Sequence, residues 1–195
     1  MKHFVPFHCA QRLPDAALGY VKWRLLTYRL AGDQSRHRVA VWRELRRVGA
    51  VALQSATWVV PVGDGFDHGV ERATALVQRA GGQALCFEVR AEEDTLSALE
   101  SLYTAEREAE WTEFAAECER ADTELRHEIE SRRFSLAELD QKMQQLDRLR
   151  HWYRDLRAKD LFVAPSATHG EQRLEDCARL LEEYAECVYA TRERR

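Results

Sequence analysis

Trp23-Arg24-Leu25-Leu26-Thr27-Tyr28-Arg29-Leu30, closed by Gly32-Asp33, is the stretch on which the fold turns. It is rich in aromatic and apolar residues and ends at a turn pair, which predicts a short buried strand. Working outward, Ser35 caps a helix that runs to Val48 and stops at Gly49. At about 100° per residue, Val39, Val41, Trp42, Leu45 and Val48 share one half of that helix, and Arg36, Arg43 and Arg47 form a narrow stripe on the other. Residues 50–54 and 57–61 read as two strands joined by a tight turn at Ser55-Ala56. A second helix over 66–80, with Val70, Ala73, Leu76 and Val77 inward, ends at Gly81-Gly82, and 83–90 reads as a fourth strand. Strand, helix, strand, strand, helix, strand predicts a ferredoxin-like βαββαβ sheet domain over residues 22–91.

After Ala91 the pattern changes. Only Pro165 and Gly170 interrupt residues 93–193, so an all-helical domain is expected there and the fold class is α+β. A long helix starts near Asp94 and passes Trp111, Phe114 and Cys118, with a break expected near 121–123. Ser135-Leu136-Ala137-Glu138 is a capping box. It opens a helix with Leu136, Leu139, Met143, Leu146, Leu149, Tyr153 and Leu156 at three- and four-residue spacing. A loop over 159–169 leads to a second capping box, Thr168-His169-Gly170-Glu171, and a last stripe of Leu174, Cys177, Leu181, Tyr184 and Val188. These stripes exceed what a small sheet covers, and sheet edges invite pairing, so a homodimer is expected.

Of the 195 residues, 45% are hydrophobic and 32% charged, too apolar for a disordered chain and too polar for a membrane protein. No apolar run approaches the length of a membrane span, and the start lacks a secretory h-region, so a cytoplasmic protein without membrane contact is expected. Five scattered cysteines without a CxxC pair read as reduced thiols. The net charge of -4 hides an asymmetry, because residues 1–60 carry ten Lys/Arg against three Asp/Glu. A basic front joined to an acidic rear implies an anionic partner for the front, or the two parts facing each other.

Catalytic signatures are absent: there is no GxGxxG, P-loop, HExxH or GxSxG. His3, His8 and Cys9 lie close together but lack a defined fourth ligand, so no metal or cofactor is assigned. The pointed constellation is Ser35-Arg36-His37-Arg38. A helix start with a hydroxyl and two guanidinium groups suits a tetrahedral oxyanion or a nucleic-acid phosphate. Arg38 falls on the apolar side of the wheel, so it either pairs with an acidic residue of the C-terminal helices or reaches an anion. Ser35, Arg36, Arg38, Arg43 and Arg47 are therefore the candidate anion- or DNA-binding residues, and Trp23, Trp42 and Trp58 are expected in the core.

Tyr28-Arg29-Leu30, Ser35-Arg36-x-Arg38-Val39, Val41-Trp42-Arg43-x-Leu45, Gly49-Ala50-Val51-x-Leu53-Gln54 and Trp58-Val59-Val60-Pro61 together resemble the N-terminal domain family of ChrB, the chromate-resistance regulator. Arg154-Asp155-Leu156 through Phe162 and Pro165, then Cys177 and Tyr184, resemble that family's helical tail, so the likeness covers roughly residues 22–190. The first domain also resembles the middle domain of PaaX-type repressors and a small ferredoxin-like CRISPR nuclease subunit. The resemblance implies a non-enzymatic transcription regulator of chromate or related oxyanion stress, with DNA or an oxyanion as partner. The alternative is a protein-interaction or assembly module without nucleic-acid contact. Tyr28-Arg29-Leu30 stands where the nuclease relatives place an aspartate, which disfavours metal-dependent cleavage.

Overall fold

The computed structural model describes residues 21–31 and 35–193. They form two compact units that divide between Arg90 and Ala91. The first contains β1 (Trp23–Arg29), α1 (Ser35–Val48), β2 (Val51–Gln54), β3 (Thr57–Pro61), α2 (Asp64–Arg79) and β4 (Gln83–Val89). The four strands make one sheet in the order β2-β3-β1-β4, with every neighbouring pair antiparallel.

Residues directly opposite one another share a face of the sheet. Leu26 lies between Trp58 and Cys86, and Arg24 between Val60 and Glu88. Arg24 Nη1 donates to Asp67 Oδ1 of α2 at 2.7 Å, which marks that face as the one α2 covers. Leu26, Trp58, Val59 and Val60 are buried, as expected for the two central strands. The edge strand β4 is different: Leu85 and Phe87 remain 58% and 49% exposed.

The glycine stops expected from the sequence act through backbone geometry. Gly49 (φ 85°) and Gly81 (φ 69°) take the left-handed conformation that glycine enters without steric cost. Gly49 N–H donates to Arg46 O and Ala50 N–H to Leu45 O, which closes α1 in a Schellman motif. Gly81 and Gly82 close α2 in the same way onto Gln78 O and Val77 O. Between the helices, a methyl at Gly69 would come within 2.6 Å of Val48 Cβ, so α2 lies on α1 at a distance only glycine permits. Ala56, in the β2–β3 turn, accepts a hydrogen bond from Tyr28 N–H at 3.0 Å.

The second unit is helical: α3 (Glu93–Glu130), α4 (Leu136–Lys159) and α5 (Ala167–Glu193). The break expected near 121–123 does not occur. No glycine or proline lies there, and Ala121 and Leu125 continue the buried stripe of Trp111, Phe114 and Cys118. α3 ends instead in a Schellman motif with Arg132 at the left-handed position (φ 54°), Arg132 N–H donating to Ile129 O and Arg133 N–H to Glu128 O. Ser135 caps α4 as expected, accepting from Glu138 N–H at 3.1 Å. The stripe of α4 is narrower than its spacing suggests, since Leu136 and Met143 are exposed while Leu139, Leu146, Leu149 and Leu156 are buried.

The second capping box is corrected. α5 begins at Ala167, so Thr168 is already helical, and the start is held from another element. Glu108 of α3 accepts from Ser166 N–H at 2.8 Å and from Ser166 Oγ, placing a carboxylate where a helix start favours negative charge. Gly170 then allows α5 to approach α3, since a methyl there would come within 2.8 Å of Trp111 Cε3.

Candidate functional site

α1 carries five arginines against one glutamate and no acidic residue in its first turn. Ser35, expected as the cap, is instead the first helical residue of α1, and Ser35, Arg36, Arg38, Arg43 and Arg47 are all exposed. Arg36, Arg43 and Arg47 fall within an arc of about 40° and span about 16 Å along the axis, from 1.5 Å rise per residue. The expected stripe is therefore solvent-facing. Its members nonetheless differ in what they hold.

Arg47 donates from Nε and Nη2 to Glu44 at 3.2 and 2.7 Å, and Arg72 Nε of α2 donates to the same carboxylate at 2.6 Å. The Arg47 hydrogen bond foremost, with Arg72 beside it, holds the Glu44 carboxyl below the usual carboxylate range against the opposing effect of burial. Arg47 thus belongs in part to the α1–α2 joint. Arg36, Arg38 and Arg43 make no hydrogen bond or ion pair among the described residues. Arg38 is felt at Tyr28, whose hydroxyl is pushed up by burial and pulled back by Trp58 and the Arg38 charge.

Ser35, Arg36 and Arg38 share the first turn. Arg36 and Arg38 leave the axis about 160° apart at 100° per residue. One small anion lying to one side of the helix therefore meets one of them, whereas an extended polyanion meets the row along the arc.

Trp42 corrects the expected inner half of α1. It is 49% exposed and Val39 is 44% exposed, whereas Val41, Leu45 and Val48 are buried. The covered arc is only about 60° wide, and Trp42 stands at its margin. The signal for this was present: Arg38 and Arg46 stand one turn on either side of Trp42, and a core tryptophan does not share its strip of helix with two guanidinium groups.

A buried polar cluster in the helical unit was not anticipated. Arg107, 1% exposed, lies 2.8 Å from Glu110 and 4.8 Å from the Tyr103 ring centroid. Lys159 Nζ donates to Glu110 Oε1 at 3.0 Å, and Tyr103 OH donates to Lys159 O. Burial pushes the Tyr103 hydroxyl up to about 12, which keeps it a donor at neutral pH. Trp111 Nε1 donates to Asp160 Oδ2 at 2.8 Å, and Asp160 also accepts from Ala164 N–H at 3.1 Å. These contacts pin the end of α4 and the following loop to α3. Spacing hides them because the partners lie about fifty residues apart.

His3, His8 and Cys9 lie outside the described residues. Among those described, no three His, Cys, Asp or Glu side chains are grouped to hold a metal ion, and no helix is long and apolar enough to cross a membrane.

A four-stranded antiparallel sheet unit with an arginine-rich helix, followed by a helical unit, defines an α+β protein. Residues 38–195 match the family described as Protein ChrB, N-terminal, and the chain belongs to that family. The match begins at Arg38, so it spans Arg38, Arg43 and Arg47 but not Ser35 or Arg36. No curated protein and no solved structure matches the chain.

Proposed function

We propose that this chain is a cytoplasmic regulatory protein of chromate or related oxyanion stress that binds nucleic-acid phosphates along α1 without a catalytic step. Its family supports the link to chromate resistance. The observation that carries the rest is the pair Arg36 and Arg43: exposed, without hydrogen bond or ion pair among the described residues, and aligned about 10 Å apart on one stripe. Guanidinium groups stay charged and fork onto phosphate oxygens, which suits binding and not proton transfer. The division between Arg90 and Ala91 supports reading residues 22–91 and 93–193 as separate domains, and the strand order supports a ferredoxin-like first one. β1 lies between β3 and β4, and each β-α-β connection passes over one strand.

The test is an electrophoretic binding assay on the protein's own promoter region at two salt concentrations. Arg36→Ala with Arg43→Ala weakens binding and flattens the salt dependence by about one unit per lost phosphate contact, without lowering the melting temperature. If chromate raises the melting temperature of the parent while promoter DNA is not retarded, the ligand is the oxyanion. If the variants bind and melt as the parent does, the arginines are a solvated face. The second reading, an assembly module, is favoured by one observation: exposed Leu85 and Phe87 on the edge strand β4, a surface that a second copy pairs with in a homodimer.

A further inference from the structure

Trp42 stands half-exposed on a helix that also exposes Arg36, Arg38, Arg43 and Arg47, beside Ser35 and Val39. Arg38 precedes it and Arg46 follows it by one turn, with Arg43 on the adjoining side. Its indole makes no hydrogen bond and meets no other aromatic ring among the described residues. An indole left in water forgoes the burial that makes tryptophan useful in a core, and Val41, Leu45 and Val48 already close the inner face without it. The surrounding charge selects the occupant. Five arginines repel cationic partners and attract a polyanion, and an indole face offers a flat π-surface.

A duplex buries its base faces in the stack and shows proteins only edges and phosphates, for which indole is a poor reader with its single donor. An unpaired strand exposes both phosphates and base faces. We infer that Trp42 is a stacking platform for an unpaired nucleobase, with Arg36 and Arg43 on the flanking phosphates, so that α1 takes single-stranded nucleic acid in preference to duplex. The inference rests on the proposed phosphate binding by α1 and adds to it the state of the strand.

The probe is a labelled oligothymidylate, compared with a duplex of equal length, read by fluorescence anisotropy on the full chain. The parent binds the single strand more tightly. Trp42→Ala weakens that binding by about ten- to a hundredfold, the range for loss of one base–aromatic stack, and leaves duplex binding and the salt slope unchanged. Trp42→Phe keeps most of the affinity, and the quenching of tryptophan emission by oligothymidylate disappears in it. That optical result stands even if the alanine variant does not fold. A Trp42→Ala variant that melts like the parent and binds oligothymidylate equally well overturns the stacking role, as does a parent that prefers the duplex. If Arg36→Ala with Arg43→Ala loses both probes while Trp42→Ala loses neither, phosphate binding survives and stacking falls. A parent that binds neither probe overturns both.

Discussion

Glu44→Gln separates the two roles of the α1 arginines, because it moves stability and binding in opposite directions. In the parent, the Glu44 carboxylate takes three guanidinium donors, two from Arg47 and one from Arg72 at 2.6 Å. Both arginines are more than half exposed while Glu44 is largely covered, so each pair is worth about 0.2–1 kcal/mol after solvent screening. Neutralising Glu44 therefore lowers the stability of the sheet unit by about 0.5–2 kcal/mol, or about 4–8 °C per kcal/mol for a domain of this size. The same change removes the one acidic side chain of α1 and releases Arg47 and Arg72 from that carboxylate. Nucleic-acid affinity rises, and its salt dependence steepens by about 0.9 for each additional phosphate met.

The pH dependence carries its own sign. The folded-state pKa of Glu44 lies below its unfolded value, so its contribution is fully present above the usual carboxylate range of about 4.3. That contribution is lost as the pH falls through the folded value. The stability gap between parent and Glu44→Gln is therefore constant near neutrality and closes in acid. Melting by circular dichroism between acid and neutral pH, together with anisotropy titrations at several salt concentrations, reads all three quantities. A variant that is less stable but binds with the parent's affinity and slope places Arg47 and Arg72 outside the interface. A variant as stable as the parent refutes the stabilising role given to the Glu44 joint.

Trp111→Phe keeps the buried ring but deletes the donor to Asp160 Oδ2, a carboxylate only 7% exposed, and lowers stability by about 1–3 kcal/mol in denaturant unfolding. A change below about 0.5 kcal/mol would refute the anchoring of the Asp160 loop through this bond. Leu85→Glu with Phe87→Glu places charge on the exposed side chains of β4 and converts a dimer to a monomer in light scattering. A parent of monomer mass across the micromolar range removes the dimer altogether.

Much of this protein was legible before any coordinates. The strand at Trp23–Arg29, the glycine stops at Gly49 and Gly81, the Ser135 cap and the leucine stripe of α4 are local features, and local features follow from φ/ψ freedom, capping chemistry and periodicity within a few residues. The Arg36, Arg43 and Arg47 stripe followed from the same arithmetic and lies exposed as read. Tertiary structure decided what periodicity leaves open, namely how wide an arc of each helix is covered. It left Trp42 and Val39 outside and set Arg72 on Glu44, because α2 lies against one edge of α1 at Gly69. It also moved the start of α5 forward to Ala167, where Glu108 of α3 supplies the capping carboxylate from 58 residues away. A helix wheel records direction from its own axis, whereas burial and pairing depend on which neighbour arrives and how closely, and that is settled only when distant segments pack.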